Sequence, residues 1–476
     1  MPYKIVLSLK IKKEGVRMKK KLLGLIGIGI FALSLKANAV QIKVSEDTFA
    51  DFQAQIRVFY LNLDKGAYSI SPTDIMTQYK DYRQQQFQVY KYRLGAKGQI
   101  DNLISFYGNL DSNDNEGYLT MLWEGAIYLN FRPEFIIGAG KIRTPFSRHN
   151  FVGRHNSPVM SSDGDYFLAN QFKEALKPVN PYEGGYRGNQ AYKRTDMGMM
   201  VKGSIKDGLI KYFAGIFSED RSNSSKVWSL TPGGFGNVQT TVSQESFKNF
   251  EYDVRLEFTP TFWGFKQEPN VFDPSSREYQ TYGGSLDFMT FGIGYHHETH
   301  LENANANKYG SSSLTRKAYA ADFAFEKKFY QKYIIGAELG YMYFKDTHFY
   351  EEVINKYKKG DVWTWYGEAH LIYDEKIGIG YPGIGFRYEY VDVDGNYRDT
   401  TGKIHKDLVY KRYGACLSLY PIRGKKGIDV TNRIGIGFDY VKAEDALEAY
   451  IKDKAKTNKG WDSTNFTWYL GIYANF

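Results

Sequence analysis

Apolar and polar positions alternate along most of this chain. The last eleven residues, Phe466-Thr-Trp-Tyr-Leu-Gly-Ile-Tyr-Ala-Asn-Phe476, show it most clearly: Phe466, Trp468, Leu470, Ile472, Ala474 and Phe476 interleave with Thr467, Tyr469, Gly471, Tyr473 and Asn475. Successive side chains of a strand point to opposite faces, so this segment presents one apolar face and one small, polar or phenolic face. Phe52–Val58 alternates in the same way. In Tyr90–Ile100, Tyr90, Tyr92, Leu94, Ala96 and Ile100 share a face, and Lys91, Arg93, Lys97 and Gln99 share the other. The pattern predicts further strands near 103–110, 119–131, 135–142, 195–205, 208–218, 249–258, 286–299, 315–326, 333–345, 362–373, 379–391, 408–420, 432–441 and 465–476, about sixteen in all.

The connections between these strands alternate in length. Short ones (Asp101-Asn102, 132–134, Lys206-Asp207, 327–332, 374–378) are interleaved with long ones (63–86, 143–194, 219–248, 300–314, 346–361, 392–407, 442–464). Thr259 to Ser285 breaks the parity: it falls where a short turn belongs, and it reads as an insertion. An even strand number, short turns at one end and long loops at the other describe an all-β, transmembrane antiparallel β-barrel whose apolar faces meet lipid. A large soluble β-sandwich or solenoid would alternate too, but not with this loop parity. The terminal aromatic strand resembles that of Gram-negative outer-membrane proteins.

The amino-terminal region fits the same picture. Met18-Lys-Lys-Lys21, the apolar run Leu22–Leu35 and Ala37-Asn38-Ala39 have the three parts of a secretory signal peptide, so residues 1–39 are expected to be cleaved after Ala39, leaving a barrel domain of 40–476. Val40 rather than Cys follows the cut, which excludes a lipoprotein anchor. The leader holds a net +8 of the +9 total, so the mature chain is close to neutral, and its high pI is no argument for nucleic acid. Cys416 is the single cysteine and can form neither an internal disulfide nor a thiolate cluster. Forty Tyr and a 17% aromatic content suit interfacial girdles, and a mean hydropathy of −0.48 with no long apolar run after Leu35 leaves no helical span.

Candidate chemistry lies in the lumen. A sixteen-strand barrel encloses a wide channel, and the longest loop, 143–194, carries Arg143, Arg148, His149, Arg154, His155, Lys173, Lys177, Arg187, Lys193 and Arg194 against Asp163, Asp165, Glu174 and Glu183. Charge alone leaves open whether this loop narrows the lumen or lies solvated outside. Alternation points Arg57, Lys91, Arg93, Lys97, Lys202, Lys211, Arg255, Arg316, Arg387, Arg412 and Arg433 inward. The same rule turns Glu124, Glu251, Asp253, Glu257, Asp322, Glu326, Glu338, Glu368, Glu389 and Asp439 inward, where they would pair with the cations and cancel much of their field. For any one basic residue, a structural wall ion pair is therefore the stronger expectation than a transport role.

Several segments resemble the phosphate-selective porin O and P family. Gly138-Ala-Gly-Lys-Ile-Arg-Thr-Pro-Phe-Ser147 is similar to the lead-in of that family's third loop, with Lys141 followed by three residues before Pro145. Arg194-Thr-Asp196-Met-Gly198, Gly203, Tyr212-Phe-Ala-Gly215, Phe217 and Phe386-Arg387-Tyr388-Glu389 are similar to later wall segments. The resemblance implies a homotrimeric porin in the outer membrane of a Gram-negative bacterium. Its third external loop would fold inward to a constriction that passes small inorganic anions, phosphate among them. Arg57, Lys91, Arg93, Lys97, Lys141, Arg143, Arg148, Arg194 and Arg387 would form the anion pathway, with no catalysis, cofactor or metal. A porin for other small solutes, or a blocked structural or adhesion barrel, remains open. His296, Glu298 and His300 share a strand face and are read as a strand-end polar cluster before a metal rim, for want of a further nitrogen ligand. Gly378-Ile-Gly-Tyr-Pro-Gly383 spells a dinucleotide fingerprint by chance, since Pro382 and a strand follow where a helix is required.

Overall fold

The computed structural model describes residues 40–63, 84–113, 118–152, 195–218, 225–231, 234–240, 250–269, 281–301, 313–353, 356–424, 427–457 and 463–475, together with Ser157, Val159 and Tyr279. The leader 1–39, most of 143–194 and the terminal Phe476, on which expectations were placed, lie outside these residues.

Nineteen strands form one sheet. A short strand, β1 (Val40–Lys43), precedes the first wall strands β2 (Phe49–Leu63), β3 (Gln84–Ile100), β4 (Ile104–Asn113), β5 (Tyr118–Arg132), β6 (Phe135–Arg143), β7 (Thr195–Ile205) and β8 (Ile210–Ser218). A hairpin, β9 (Ser225–Thr231) and β10 (Gly234–Thr240), is not one of the closing strands and pairs in parallel through β9 with the end of a later wall strand at Phe349 and Tyr350. The wall resumes with β11 (Phe250–Phe258), β12 (Phe288–Leu301), β13 (Ser313–Phe329), β14 (Tyr333–Val353) and β15 (Lys356–Tyr373). It finishes with β16 (Tyr381–Arg398), β17 (Ile404–Tyr420), β18 (Arg433–Glu444) and β19 (Thr464–Asn475). Each wall strand pairs antiparallel with its successor, β8 pairs with β11, and β19 returns to β2, closing a sixteen-strand barrel without edges. The expected strands are all present, and the alternating connections follow from this up-and-down order.

The outward rows are apolar around the circumference. Leu94, Ile127, Ile293, Leu339, Trp365, Phe386, Leu417 and Ile436 are each exposed by half or more. A water-soluble sheet would cover such a band; a closed barrel turns it to hydrocarbon. Toward the end that bears the long loops, aromatic rings sit on adjacent strands: Tyr295 to Tyr319 at 5.4 Å, Tyr319 to Tyr343 at 6.3 Å and Tyr343 to Trp363 at 6.5 Å between centroids. At the other end Phe262 and Trp263, in a 3-10 turn after β11, are two-thirds exposed. These are the amphipathic positions of a membrane interface.

The described parts of three connections pack against inward-facing residues of the wall. The segment after β6 contains a one-turn helix, α1 (Arg148–Phe151), and residues 142–151 are all buried. Helix α2 (Asp445–Thr457), in the connection between β18 and β19, buries Ala446, Leu447, Tyr450 and Ile451 against the inward residues Val391, Val393, Leu408, Tyr410, Val441 and Ala443. The sequence reading made 442–464 an external loop; its i, i+1, i+4, i+5 apolar stripe instead closes part of the mouth. At the opposite end the 259–285 connection runs back into the lumen, with Glu268, Tyr279 and Tyr282 buried. It bonds to the β17–β18 connection through Ile428 N–H and the Gly283 carbonyl at 2.9 Å. That inward course accounts for an insertion too long for a turn.

Candidate functional lumen

The lumen is lined by ionisable side chains that alternation points inward. Ten Lys and Arg are buried there or in the connections that enter it, against thirteen Asp and Glu, among the described residues. Most are engaged with each other. Arg255 on β11 forms a bidentate pair with Asp322 on β13, both contacts at 2.7 Å, and its Nε donates to Glu257 at 2.7 Å. This pair passes over β12 at Gly292, where a Cβ would stand 2.2 Å from the guanidinium, so only glycine leaves the room. Arg412 is paired with Asp439 at 3.1 Å, and Arg387 donates through Nε to Glu368 at 2.8 Å.

The segment after β6 reaches across the barrel. Arg143 is paired with Glu124 of β5, and its Nη1 donates to the carbonyls of Asn150 and Phe151, which hold the segment in a tight bend. Arg148 then meets three acidic partners from three parts of the chain. Its guanidinium is paired with Glu268 of the 259–285 connection and donates through Nε to Glu338 of β14 at 3.0 Å. Its backbone N–H donates to Asp322 of β13 at 3.0 Å. The carbonyl of Phe146 sits on Gly294 of β12, where a Cβ would lie 1.7 Å from that oxygen. Beyond the bend Ser157 donates to Glu368 of β15 at 2.8 Å, and Val159 packs with Phe59, Tyr469 and Tyr473. A cavity of about 30 Å³ remains between Arg148, Glu338 and the β13–β15 wall, room for a water or two.

At one part of the wall two guanidiniums share one aromatic ring. The guanidiniums of Arg57 on β2 and Arg433 on β18 stack on the ring of Tyr473 on β19, at 5.0 and 4.6 Å from its centroid. Arg433 is fully buried and donates through Nη1 to the Ser157 carbonyl at 2.5 Å, while its Nε and Nη2 have no hydrogen-bond partner.

The predicted pathway residues divide accordingly. Arg57, Arg93, Arg143, Arg148 and Arg387 are buried inside, and Lys97 is half-buried on the Arg93 face of β3. Arg143, Arg148 and Arg387 are held by carboxylates, the structural role that inward pairing favoured. Lys141 corrects its expectation: it is the register partner of the exposed Met197 and its Nζ donates to the Leu122 carbonyl, so it stands on the outward row. The side chain of Lys91, and all of Arg194, lie outside the described residues. Glu268, Tyr279 and Tyr282 were not singled out in the sequence, because the connection that carries them has no period from which to read a face.

The polar cluster near His296 also differs. His300's side chain is outside the described residues, and His296 turns to Asp253, its register partner on β11, at 2.9 Å, with Glu251 at 3.6 Å.

No family model and no curated protein matches this chain. Among solved structures it is similar to OprB of Pseudomonas putida at high pH (11% identity, 90% of this chain, 94% of that one, TM-score 0.48). It is also similar to an anion-selective porin from Comamonas acidovorans (9%, 90% and 100%, 0.46) and to the outer-membrane channel DcaP of Acinetobacter baumannii (10%, 91% and 99%, 0.46). A closed barrel with an apolar exterior and a charged interior is the architecture of outer-membrane proteins of Gram-negative bacteria, and that is the class its sixteen-strand closure defines.

Proposed function

We propose that the protein is an outer-membrane porin: a passive, water-filled channel for small hydrophilic solutes that favours small anions, with phosphate within its chemical range. It is a channel and not an enzyme, and three copies assemble, as the resemblance to phosphate-selective porins implies. The observation that supports anion passage is the Arg57–Tyr473–Arg433 stack, in which the fully buried Arg433 has no carboxylate partner among the described residues. Anion pores are built from Arg or Lys placed so that several weak sites permit both entrance and exit. The segment after β6, fixed to the far wall through Arg148, narrows the path beside this stack. Planar-bilayer recordings under a KCl gradient test the reading: the reversal potential shifts toward the chloride equilibrium value, and a shift toward potassium rejects it.

A blocked barrel is the second reading. It is favoured by the way α2, the segment after β6 and the 259–285 connection all enter the lumen. Absence of single-channel steps in every preparation of the refolded barrel would select it.

A further inference from the structure

We propose that Glu251, Asp253 and His296 form a binding site for a first-row divalent transition-metal ion, set into the lumen wall near the end that bears the long loops. The register makes Asp253 and His296 direct cross-strand partners, and Glu251 lies two residues away on the same inward face of β11. Their ligating atoms all fall within 4.8 Å of one another, and all three side chains are buried. His296 Nδ1 is 2.9 Å from Asp253 Oδ1 and 3.6 Å from Glu251 Oε1. Around a metal with bonds of about 2.1 Å, neighbouring ligand atoms are about 3.0–3.4 Å apart, so small side-chain adjustments suffice.

Two details point to an ion rather than to a self-contained ion pair. Apart from each other's carboxyl group, Glu251 Oε1 and Asp253 Oδ2 have no hydrogen-bond partner although both residues are at least 97% buried, an expensive arrangement for two adjoining acidic groups. On the far side of the imidazole, Glu298 Oε2 is 3.8 Å from Nε2, where a carboxylate can accept Nε2–H and orient a ring that ligates through Nδ1. Binding then exchanges one Nδ1 proton for the metal, and two carboxylates neutralise the divalent charge. One imidazole and two carboxylates, with no thiolate, suit Zn2+, Mn2+ or Fe2+ better than Ca2+ or Mg2+. The ring of Phe146 packs edge-on to His296 at 6.2 Å, so the site adjoins the segment that crosses the lumen.

The site does not require the barrel to conduct, and metal binding in detergent and conductance after EDTA treatment test the two ideas separately. Calorimetric titration of the EDTA-treated, detergent-purified barrel with Zn2+ is expected to give one ion per chain, not displaced by an about tenfold excess of Mg2+. Asp253→Asn with His296→Gln abolishes that binding, and Glu298→Gln weakens it by about tenfold. X-ray absorption of the Zn2+-loaded wild-type protein, which needs no variant to fold, should show one imidazole and otherwise oxygen ligands. No Zn2+ uptake by the wild type, uptake unchanged in the double variant, or a shell with two or more imidazoles would each overturn the site.

Discussion

Arg148 holds together parts of the chain that are far apart in sequence. Through Glu268 and Glu338 it ties the segment after β6 to the inner connection and to the wall. Removing one partner of a buried pair leaves the other charge uncompensated, at a cost of about 3–5 kcal/mol. Arg148→Ala is therefore expected to lower the urea midpoint of the refolded barrel by that order and to raise its single-channel conductance. An unchanged conductance would mean that the segment does not limit the path. Arg433→Ala should act differently, moving the reversal potential toward zero with less change in conductance than Arg148→Ala, because it removes a positive charge and gives up only the Ser157 carbonyl contact while the Arg148 anchors stay in place. At this scale the sequence was informative: all ten acidic residues placed inward by alternation do face inward, nine of them buried and Glu338 with only 13% of its side chain exposed. Lys141 was assigned to the pathway by resemblance and not by parity, and it stands on the outward row. The better unused signal was Phe291-Gly-Ile-Gly-Tyr-His296: two inward glycines on one strand mark where the Arg255–Asp322 pair and the Phe146 carbonyl pass.

Among the elements, α2 was the one that strand periodicity could not foresee, since a helix inside a barrel mouth competes with no wall position. It is fixed at its flank by Asp453, which accepts from the Tyr397 hydroxyl and the Thr400 N–H at 3.0 Å each and from Lys456 Nζ at 2.6 Å. Replacing 445–457 by a short Gly-Ser linker should leave the barrel folded, as judged by heat-modifiable migration, and enlarge the conductance step. An equal or smaller step would place the helix clear of the path. The turn between β16 and β17 offers a pH test. Asp399 accepts from Thr401 Oγ1 at 2.6 Å, from His405 Nε2 at 2.9 Å and from the N–H groups of Thr401 and Lys403. The Thr401 hydroxyl first, then His405, hold its carboxyl well below the usual range. A depressed carboxyl adds stability that is present above its unfolded value and fades only as pH falls through the folded one. Protection of the Thr401 and Lys403 amides, relative to their intrinsic exchange rates, should thus hold down to about pH 4, the unfolded Asp value, and fall only below it. Asp399→Asn should lower it at neutral pH.

At the level of the whole molecule, the barrel was legible because lipid imposes a strict two-residue period and an even count of crossings. Its contents were not, since inward-running connections obey neither. The apolar exterior gives the plainest expectation: the mature polypeptide stays folded and monodisperse only with detergent or lipid, and a stable fold in plain buffer would contradict the exterior described above. The β2–β19 seam has a temporal consequence. Arg57 must find Tyr473, and Leu63 must find Thr467, across almost the full span of the chain. Every other wall pairing joins strands much closer in sequence, the widest gaps being about fifty residues between β6 and β7 and about thirty between β8 and β11 and between β11 and β12. Until the seam zips shut, β2 and β19 remain two raw edges, each a template for the wrong neighbour. The pairing expected to form last is thus also the one that removes the sheet's final margin.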